Sequence, residues 1–174
     1  MEKGVSNTGQ RIAILGPESS GKTWFGHQLA ESTGGTYVAE FAREYLEDLD
    51  RPYTLKDLVH IADEQFRRNT QLSEGPLICD TEMITISIWA QEKFDEVPLQ
   101  VQELLHEQSF DRYLLFAPDI PWSYDPLREN PSDRERLYGL YKGVLNKLGL
   151  EATVIKGTFS EREDWVEHVS SQLR

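Results

Sequence analysis

Short apolar runs divide the chain and predict buried β-strands. Each run is strand-sized and is followed by a longer segment with a different apolar period. Near-continuous apolar runs of this kind are typical of strands that are covered on both faces of a sheet. The predicted strands span residues 11–16, 36–40, 76–81, 113–118 and 152–157.

The segments between these runs predict helices. Their apolar residues recur at three- and four-residue steps, which is the period of an amphipathic helix. Helices are predicted over residues 24–32, 55–66, 137–148 and 165–173. A Ser or Thr followed three residues later by an acid predicts a capping box at a helix start. The predicted pairs are Thr54 with Asp57, Ser132 with Glu135, and Ser160 with Glu163.

The alternation of strands and helices predicts an α/β fold. We expect a five-stranded parallel sheet that is doubly wound, with helices on both faces. Residues 11–174 are predicted to form a single domain after a flexible lead-in over residues 1–10. Ligands of such sheets bind beyond the carboxyl ends of the strands. Candidate chemistry is therefore expected in the residues that end each run.

The octet after the first predicted strand, GPESSGKT, fits the phosphate-binding P-loop pattern G-x-x-x-x-G-K-[ST]. Its glycines let backbone N–H groups surround phosphates, and the following helix adds the positive end of its dipole. We expect Lys22 to reach the β- and γ-phosphates of ATP and the Thr23 hydroxyl to bind Mg²⁺. The expected nucleotide-binding residues are Gly16, Pro17, Glu18, Ser19, Ser20, Gly21, Lys22 and Thr23. The predicted fold class is thus a P-loop NTPase of the nucleoside- and nucleotide-kinase type.

The composition limits the classes of partner. The 174-residue chain has a formal net charge of −12, which argues against a broad contact with nucleic acid. Its apolar runs are too short for a transmembrane helix, and its amino terminus lacks the apolar segment of a signal peptide. The single Cys79 excludes an intrachain disulfide and fits a cytoplasmic location. The charge does not argue against binding a single nucleotide, and the sequence leaves the oligomeric state open.

Two further predicted strands end in carboxylates. Asp80 ends the third run as in a Walker-B strand, where the carboxylate holds Mg²⁺, although Asp also caps helices. Glu40 ends the second run, where it is expected to accept a proton from a substrate hydroxyl or to orient it. Arg43 and Glu44 lie one helical turn further on, so they are expected to line the same space. The sequence leaves open which of Glu40, Glu44 and Asp80 touches the hydroxyl.

A proline-rich loop follows the fourth predicted strand. With the start of the next helix it is predicted to form a substrate loop and lid at about residues 117–137. The faces of Trp122 and Tyr124 suit a heteroaromatic ring. The carboxylates of Asp119 and Asp125 offer acceptors for ribose hydroxyls. This loop is therefore predicted to bind the acceptor.

Three arginines follow this loop. In-line phosphoryl transfer needs cations over the transferring group, and a lid arginine is one way to supply them. Arg134 and Arg136 are two residues apart, so they point to different sides of a helix. Arg128 and Arg134 are therefore predicted to act on the phosphates, and Arg136 is predicted to form a surface salt bridge. The predicted catalytic residues are Lys22, Glu40, Asp80, Arg128 and Arg134.

Four segments together resemble one family. GPESSGKT, YVAEFAREYL, LICDT and YLLFAPDIPWSYDPLRENPSDRERL occur in the order found in the ribosylnicotinamide kinase domain of the bifunctional adenylyltransferase/kinase that regulates bacterial NAD biosynthesis. The resemblance extends from about Arg11 to the last helix, and it implies a P-loop AAA-type kinase of NAD metabolism. It places Glu40 and Arg43 in the riboside site, and Trp122, Asp125 and Arg128 in the substrate loop and lid. It does not extend to an adenylyltransferase or a DNA-binding domain.

The resemblance implies phosphorylation of the 5′-hydroxyl of nicotinamide riboside by MgATP, which gives nicotinamide mononucleotide. The residues leave two alternatives. One is a kinase for another nucleoside, such as a deoxynucleoside, because a flat aromatic wall does not distinguish a pyridine from a pyrimidine. The other is an ATP-binding regulatory ATPase with little turnover. The cluster of Glu40, Asp80 and Arg128 favours a site with an acceptor over a sensor.

Overall fold

The computed structural model describes residues 9–128 and 132–173. Most of the predicted lead-in and residues 129–131 of the predicted lid lie outside these ranges. All the predicted strands are confirmed, with ends that move by no more than two residues. The strands are β1 (Arg11–Leu15), β2 (Thr36–Val38), β3 (Leu77–Asp80), β4 (Arg112–Phe116) and β5 (Ala152–Ile155).

The described strands form one five-stranded sheet in the order β2-β3-β1-β4-β5, and every neighbouring pair is parallel. The strand that precedes the P-loop therefore lies in the centre, between β3 and β4. Because parallel strands all end at the same edge, the ends of β1, β2 and β3 lie side by side. The predicted fold class is confirmed.

Helices connect the strands and cover both faces of the sheet. They are α1 (Lys22–Thr33), α2 (Phe41–Glu47), α3 (Leu55–Asn69), α4 (Met83–Phe94), α5 (Leu99–Glu107), α6 (Arg134–Lys147) and α7 (Phe159–Ser171). Alternate residues of β1 point to opposite faces, as the period of a strand requires. Ile12 and Ile14 pack with Phe25 of α1, whereas Leu15 packs with Ile84 of α4.

The helix starts test the capping predictions. The capping box of Thr54 and Asp57 at the start of α3 is confirmed. The other two predictions are wrong by one or two residues, since α6 begins after Asp133 and α7 begins after Thr158. Thr158 forms the capping box with Glu161, because its hydroxyl lies where the first turn of α7 presents an unpaired N–H.

Among the described residues, none of the helices has both the length and the apolar character needed to cross a bilayer.

Candidate active site

The P-loop depends on glycine at both ends. Gly16 has a φ of 139°, and a Cβ there would lie 2.7 Å from the carbonyl oxygen of Phe116. Gly21 has a φ of 81° and forms the left-handed cap of α1. A side chain at either position would strain the backbone, so the loop needs both glycines to bend around a phosphate. Lys22 folds back over the loop, with Nζ 2.9 Å from the Gly16 carbonyl oxygen and 2.8 Å from that of Pro17.

Arginines from outside the octet hold the loop in place. Arg162 of α7 is fully buried, and its guanidinium donates to the carbonyl oxygens of Ser20, Ala117 and Gly157. Arg134 donates to the carbonyl oxygen of Ser19 over 3.1 Å. Their positive charge therefore lies behind the loop that is predicted to carry phosphates, where it favours an anion.

Asp80 joins the P-loop to the end of β3. Its Oδ2 accepts from the Thr23 hydroxyl over 2.8 Å and from the Tyr37 hydroxyl over 2.7 Å. Burial and the Asp80 carboxylate raise the pKa of Tyr37, which therefore stays protonated as a donor. His27 lies against the Tyr37 ring, with 3.9 Å between the ring centroids. The two predicted metal ligands, Thr23 and Asp80, are thus in direct contact.

Glu40 lies beside this contact, at the start of α2. Its side chain makes no capping hydrogen bond to that helix and instead lines the large cavity described below. Burial raises the pKa of Glu40, and the nearby Asp80 carboxylate raises it further, while Lys22 opposes the rise. Burial lowers the pKa of Lys22. These mutual effects place Lys22, Glu40 and Asp80 in one electrostatic cluster at the mouth of the P-loop.

A cavity of about 1430 Å³ extends from the P-loop along the ends of the strands. One end is formed by the octet, by Glu40 and by Asp80. A second group of lining residues, which we call the aromatic end, consists of Tyr53, in the loop before α3, and Trp89 of α4. Trp89 Nε1 donates to the Tyr53 hydroxyl over 2.9 Å, and the two rings meet edge to face. The cavity therefore joins a phosphate-binding end to an aromatic end.

Several predicted acceptor residues lie elsewhere. Glu44 does not line the cavity, because it points outward and pairs with Arg68 over 3.0 Å. Tyr124 is 83% exposed and does not line the cavity either. Asp125 accepts from Arg43, with 3.0 Å between Oδ2 and the guanidinium, so it orients Arg43 at the cavity wall. The structure thus corrects the expected positions of Glu44 and Tyr124.

The position expected for Asp119 is corrected as well. It lines a second, smaller cavity of about 530 Å³, together with Lys156, Gly157 and Trp165. Its Oδ1 lies 2.5 Å from the Arg162 guanidinium, and its Oδ2 accepts from the Gly157 N–H over 2.6 Å. Asp119 therefore fixes the connection between β5 and α7 beside the P-loop and does not face the large cavity.

Trp122 and Arg128 belong to the loop that follows β4. Both line the large cavity, and the Arg128 and Arg134 guanidinium groups each lie 5.8 Å from the Trp122 ring centroid. Arg128 also donates to the Ser123 carbonyl oxygen. Arg136 pairs with Glu92 and Asp133. The prediction that Arg136 forms a salt bridge is confirmed. Arg134 does not line the cavity and donates to the carbonyl oxygens of Ser19 and Ile120, so the predicted contact of Arg134 with the phosphates is corrected.

The sequence did not indicate four residues of the site. Tyr53 and Trp89 form the aromatic end, Tyr37 contacts Asp80, and Arg162 supports the P-loop. Trp89 fits the apolar pattern of α4, which by itself indicates a core residue. Arg162 lies on the amphipathic helix α7, but its burial depends on the packing of α7 against α1, which the sequence does not show.

The fold and the phosphate-binding loop place this chain in the class of P-loop kinase-like domains. A sequence profile described as AAA domain matches residues 11–162. The chain belongs to that family.

Two curated relatives are similar to this chain in sequence. They are the trifunctional NAD biosynthesis/regulator proteins NadR of Salmonella typhimurium and Escherichia coli, each 26% identical, over 154 and 149 residues. The matches cover 83% and 80% of this chain but only 38% and 36% of those proteins. The chain thus spans well under half the length of these relatives. The resemblance to the NAD-biosynthesis regulator family is confirmed.

Solved structures share the fold. A NadR protein in complex with NR superposes with a TM-score of 0.77 at 18% identity, covering 97% of this chain and 52% of that one. A deoxyadenosine kinase from M. mycoides has a TM-score of 0.62 at 14% identity, covering 93% and 99%. A thymidylate kinase from Ehrlichia chaffeensis has a TM-score of 0.62 at 17% identity, covering 96% and 100%. At these identities the likeness concerns the fold.

Proposed function

We propose that this protein is an ATP-dependent kinase that phosphorylates the 5′-hydroxyl of nicotinamide riboside to give nicotinamide mononucleotide. The observation that carries the proposal is the continuous cavity, with a P-loop at one end and aromatic side chains at the other. Glu40, Lys22 and Asp80 lie together at the P-loop end, where a hydroxyl and a γ-phosphoryl group would meet. The NadR relatives support nicotinamide riboside as the acceptor.

The P-loop end suits the triphosphate of ATP. Its backbone N–H groups and the first turn of α1 bind phosphates, and Lys22 moves from the Gly16 and Pro17 carbonyl oxygens to the phosphate oxygens. The second cavity is linked to the P-loop, because Asp119 in its wall binds Arg162, which donates to the Ser20 carbonyl oxygen. Its part near Lys156 and Trp165 is the proposed place of the adenine. The ATP would then span from that cavity to Glu40.

The donor set suits Mg²⁺. Thr23 and Asp80 supply oxygen atoms that already lie within 2.8 Å of each other. Mg²⁺ prefers such oxygen ligands and takes most of its remaining ligands from water and phosphate. Among the described residues there is no cluster of three or more His, Cys, Asp or Glu side chains, so a protein cage for a metal is absent there. When bound, Mg²⁺ would neutralise phosphate charge.

The aromatic end suits the acceptor base. The nicotinamide ring of the riboside is a flat cation, which is attracted by the faces of tryptophan and tyrosine rings. Tyr53, Trp89 and Trp122 line the cavity, and Glu40 and Asp80 add negative charge towards its P-loop end. Arg43, held by Asp125, is placed to bind a ribose hydroxyl at the wall.

The chain's own residues supply the steps of transfer. Glu40 accepts a hydrogen bond from the 5′-hydroxyl and orients it in line with the γ-phosphoryl group. Lys22 and Arg128 stabilise the negative charge on the transferring group. The transition state of phosphoryl transfer is loose, so this positioning contributes more than removal of the proton.

The proposal concerns this domain alone. The curated relatives are trifunctional and much longer than the matched region, so adenylyl transfer and regulation are not proposed here. We further propose a cytoplasmic location and no nucleic-acid partner. The buried Cys79 without a disulfide and the net charge of −12 support these two points.

A coupled assay of ADP release with MgATP tests the proposed function. The acceptors are nicotinamide riboside, nicotinic acid riboside, thymidine, deoxycytidine and uridine, with a control that lacks an acceptor. We expect turnover with nicotinamide riboside and a product that matches nicotinamide mononucleotide. Turnover with a deoxynucleoside alone would support the kinase activity and contradict nicotinamide riboside as the acceptor. ADP release that is independent of every acceptor would identify an ATPase instead.

A further inference from the structure

Two buried amide side chains on α3 form a hydrogen-bonded pair behind the site. Gln65 is fully buried and Asn69, one helical turn later, is 3% exposed. Nε2 of Gln65 donates to Oδ1 of Asn69 over 3.0 Å. We call this pair the amide relay. The neighbouring positions of α3 are apolar core residues, such as Leu58 and Ile61, so two amides here are costly unless every polar atom has a partner.

One end of the amide relay holds the backbone around Glu40. The Phe41 N–H donates to Oε1 of Gln65 over 2.8 Å, and Nε2 of Gln65 lies 3.4 Å from the Ala39 carbonyl oxygen. Ala39 and Phe41 flank Glu40 in the chain. Gln65 binds the first N–H of α2, and the Glu40 carboxylate makes no capping hydrogen bond to that helix. It is left to face the cavity.

The other end of the relay holds the residue after Asp80. Nδ2 of Asn69 donates to the Thr81 carbonyl oxygen over 3.0 Å. Thr81 has a φ of 85°, a conformation that β-branched residues rarely adopt. Such a conformation persists only where its surroundings hold it in place. The bond from Asn69 is one of the contacts that do so.

The relay has a fixed direction. At one end the Phe41 N–H only donates, so it must meet the oxygen of Gln65. At the other end the Thr81 carbonyl only accepts, so it must meet the nitrogen of Asn69. Each amide therefore has one orientation in which all these bonds form, and an apolar side chain at either position would break the connection.

The sheet itself does not make this connection. The pairing of β2 with β3 ends at Val38 opposite Cys79, one residue before Asp80 and two before Glu40. Beyond that point the two chain segments have no ladder hydrogen bonds between them in the register of the sheet. The amide relay joins these two segments just beyond the end of the strand pairing, next to Glu40 and Asp80.

We propose that Gln65 and Asn69 are positioning residues for phosphoryl transfer. They join the backbone next to Glu40 to the backbone next to Asp80, and so they fix the two carboxylates relative to each other. The proposal rests on the proposed kinase function. A misplacement of about 1 Å at a reacting group costs about 10²-fold in rate, so a loosened relay is expected to lower turnover without contact to either substrate.

The test compares steady-state kinetics of the wild type with Asn69→Leu and Gln65→Met, which keep side-chain size and remove the amides. We expect kcat for the riboside to fall about 10-fold or more, while KM for ATP changes by less than about 2-fold. Ile61→Ala is the matched control, because it weakens the same helix through a cavity and leaves the relay intact. Its kcat is expected to stay near that of the wild type, although its melting temperature falls.

A double-mutant cycle separates positioning from general stability. If Asn69 acts through Glu40, Asn69→Leu has a much smaller effect on kcat in a Glu40→Gln background. Should Asn69→Leu fail to fold, Asn69→Ala replaces it, because the smaller side chain removes the amide without overpacking the core. The same criteria then apply to that variant.

Three results would overturn the proposal. One is an unchanged kcat in both relay variants. Another is a loss of kcat no larger than in Ile61→Ala at equal thermal stability. The third is full additivity with Glu40→Gln. A wild type without turnover on any acceptor overturns the kinase function as well, whereas an active wild type with equally active relay variants overturns the relay alone.

Discussion

The Thr23 hydroxyl donates to Asp80 Oδ2 over 2.8 Å, which ties the first turn of α1 to the end of β3. These residues are 57 positions apart in the chain. They meet because β1 and β3 are neighbours in the sheet and end at the same edge. The contact is the centre of the proposed Mg²⁺ site, since a hydroxyl and a carboxylate are the ligands that P-loop enzymes offer to this ion.

Replacement of Asp80 tests that site. Asp80→Asn keeps the size of the side chain and removes its charge, so it is expected to lower kcat by about 10²-fold and to raise the Mg²⁺ concentration needed for half-maximal rate. Tyr37→Phe is the control, because it removes one hydrogen bond to Asp80 and keeps the carboxylate. A Mg²⁺ titration of the initial rate measures both effects. An equal Mg²⁺ requirement in Asp80→Asn and the wild type would contradict the assignment.

Lys22 is predicted to act on the transferring phosphoryl group. Lys22→Ala removes a preorganised cation, for which a loss of about 10²- to 10³-fold in kcat is expected. Because Lys22 makes its bonds to P-loop carbonyl oxygens, circular dichroism and thermal melting check that the variant is folded. Lys147→Ala, at the end of α6, serves as the lysine control. Normal turnover by folded Lys22→Ala would remove the residue from the mechanism.

Glu40 and Glu44 form a matched pair on one helix. Glu40 lines the cavity, whereas Glu44 points outward to Arg68. Glu40→Gln is expected to lower kcat for the riboside by about 10²-fold, with little change in the affinity for ATP. Glu44→Gln is expected to leave both near the wild-type values. Steady-state kinetics with each substrate varied in turn distinguish the two. A larger loss in Glu44→Gln would reverse their assignment.

The raised pKa of Glu40 also predicts a pH dependence. Burial and the Asp80 carboxylate favour the protonated form, and only the ionised form accepts the hydroxyl proton. The wild-type rate should therefore fall as pH decreases through a pKa above the ordinary glutamate value of about 4.3. Glu40→Gln should lack this limb of the rate profile. The raised pKa also means that the ionised, half-buried Glu40 destabilises the fold at neutral pH, so Glu40→Gln should unfold at a higher urea concentration.

The aromatic end of the cavity is predicted to bind the acceptor ring. Tyr53→Ala and Trp89→Ala should each raise KM for the riboside by about 10-fold, which corresponds to ~1.4 kcal/mol of lost stacking. KM for ATP should remain unchanged, because neither residue belongs to the P-loop end. Tyr124→Ala is the control, since its ring is exposed and does not line the cavity. An equal effect of Tyr124→Ala would indicate that the acceptor ring binds to the substrate loop and not to the aromatic end.

Asp57 is predicted to stabilise the cavity wall. It accepts from Arg51, Thr54 and Tyr45, and the Arg51 guanidinium is the largest cause of its lowered pKa. The half-exposed Arg51 limits the expected loss in Asp57→Asn to ~1–2 kcal/mol at pH 7. A lowered pKa gives stability that is present above the unfolded value of about 3.9 and is lost as pH falls below it.

Urea unfolding at pH 7 and at pH 3 measures this effect. The difference in unfolding free energy between the wild type and Asp57→Asn should shrink at the lower pH, because the wild-type Asp57 then binds protons in the unfolded state. A difference that stays constant between the two pH values would show that the charge of Asp57 contributes nothing. The expected result would show that the ionised Asp57 carboxylate stabilises the segment that carries Tyr53.

The sequence determined the strands, four of the helices and the phosphate-binding end of the site. The octet of the P-loop is contiguous, and its conformation depends on local backbone rules at Gly16 and Gly21. Apolar runs determined the strands, because a strand buried on both faces needs apolar side chains throughout. Since parallel strands end at one edge, Glu40 and Asp80 were predictable as neighbours of the P-loop.

Tertiary structure decided the rest, because the remaining contacts join residues that are distant in the chain. Trp89 belongs to the apolar pattern of α4, and only the packing of α4 against the loop before α3 turns it towards Tyr53 and the cavity. Glu40 and Glu44 are both candidate acceptor carboxylates in sequence, and only the packing of α2 on α3, which pairs Glu44 with Arg68, separates them. The sequence around Gln65 and Asn69 does not indicate the amide relay, because the two amides connect other segments only after those segments fold against α3.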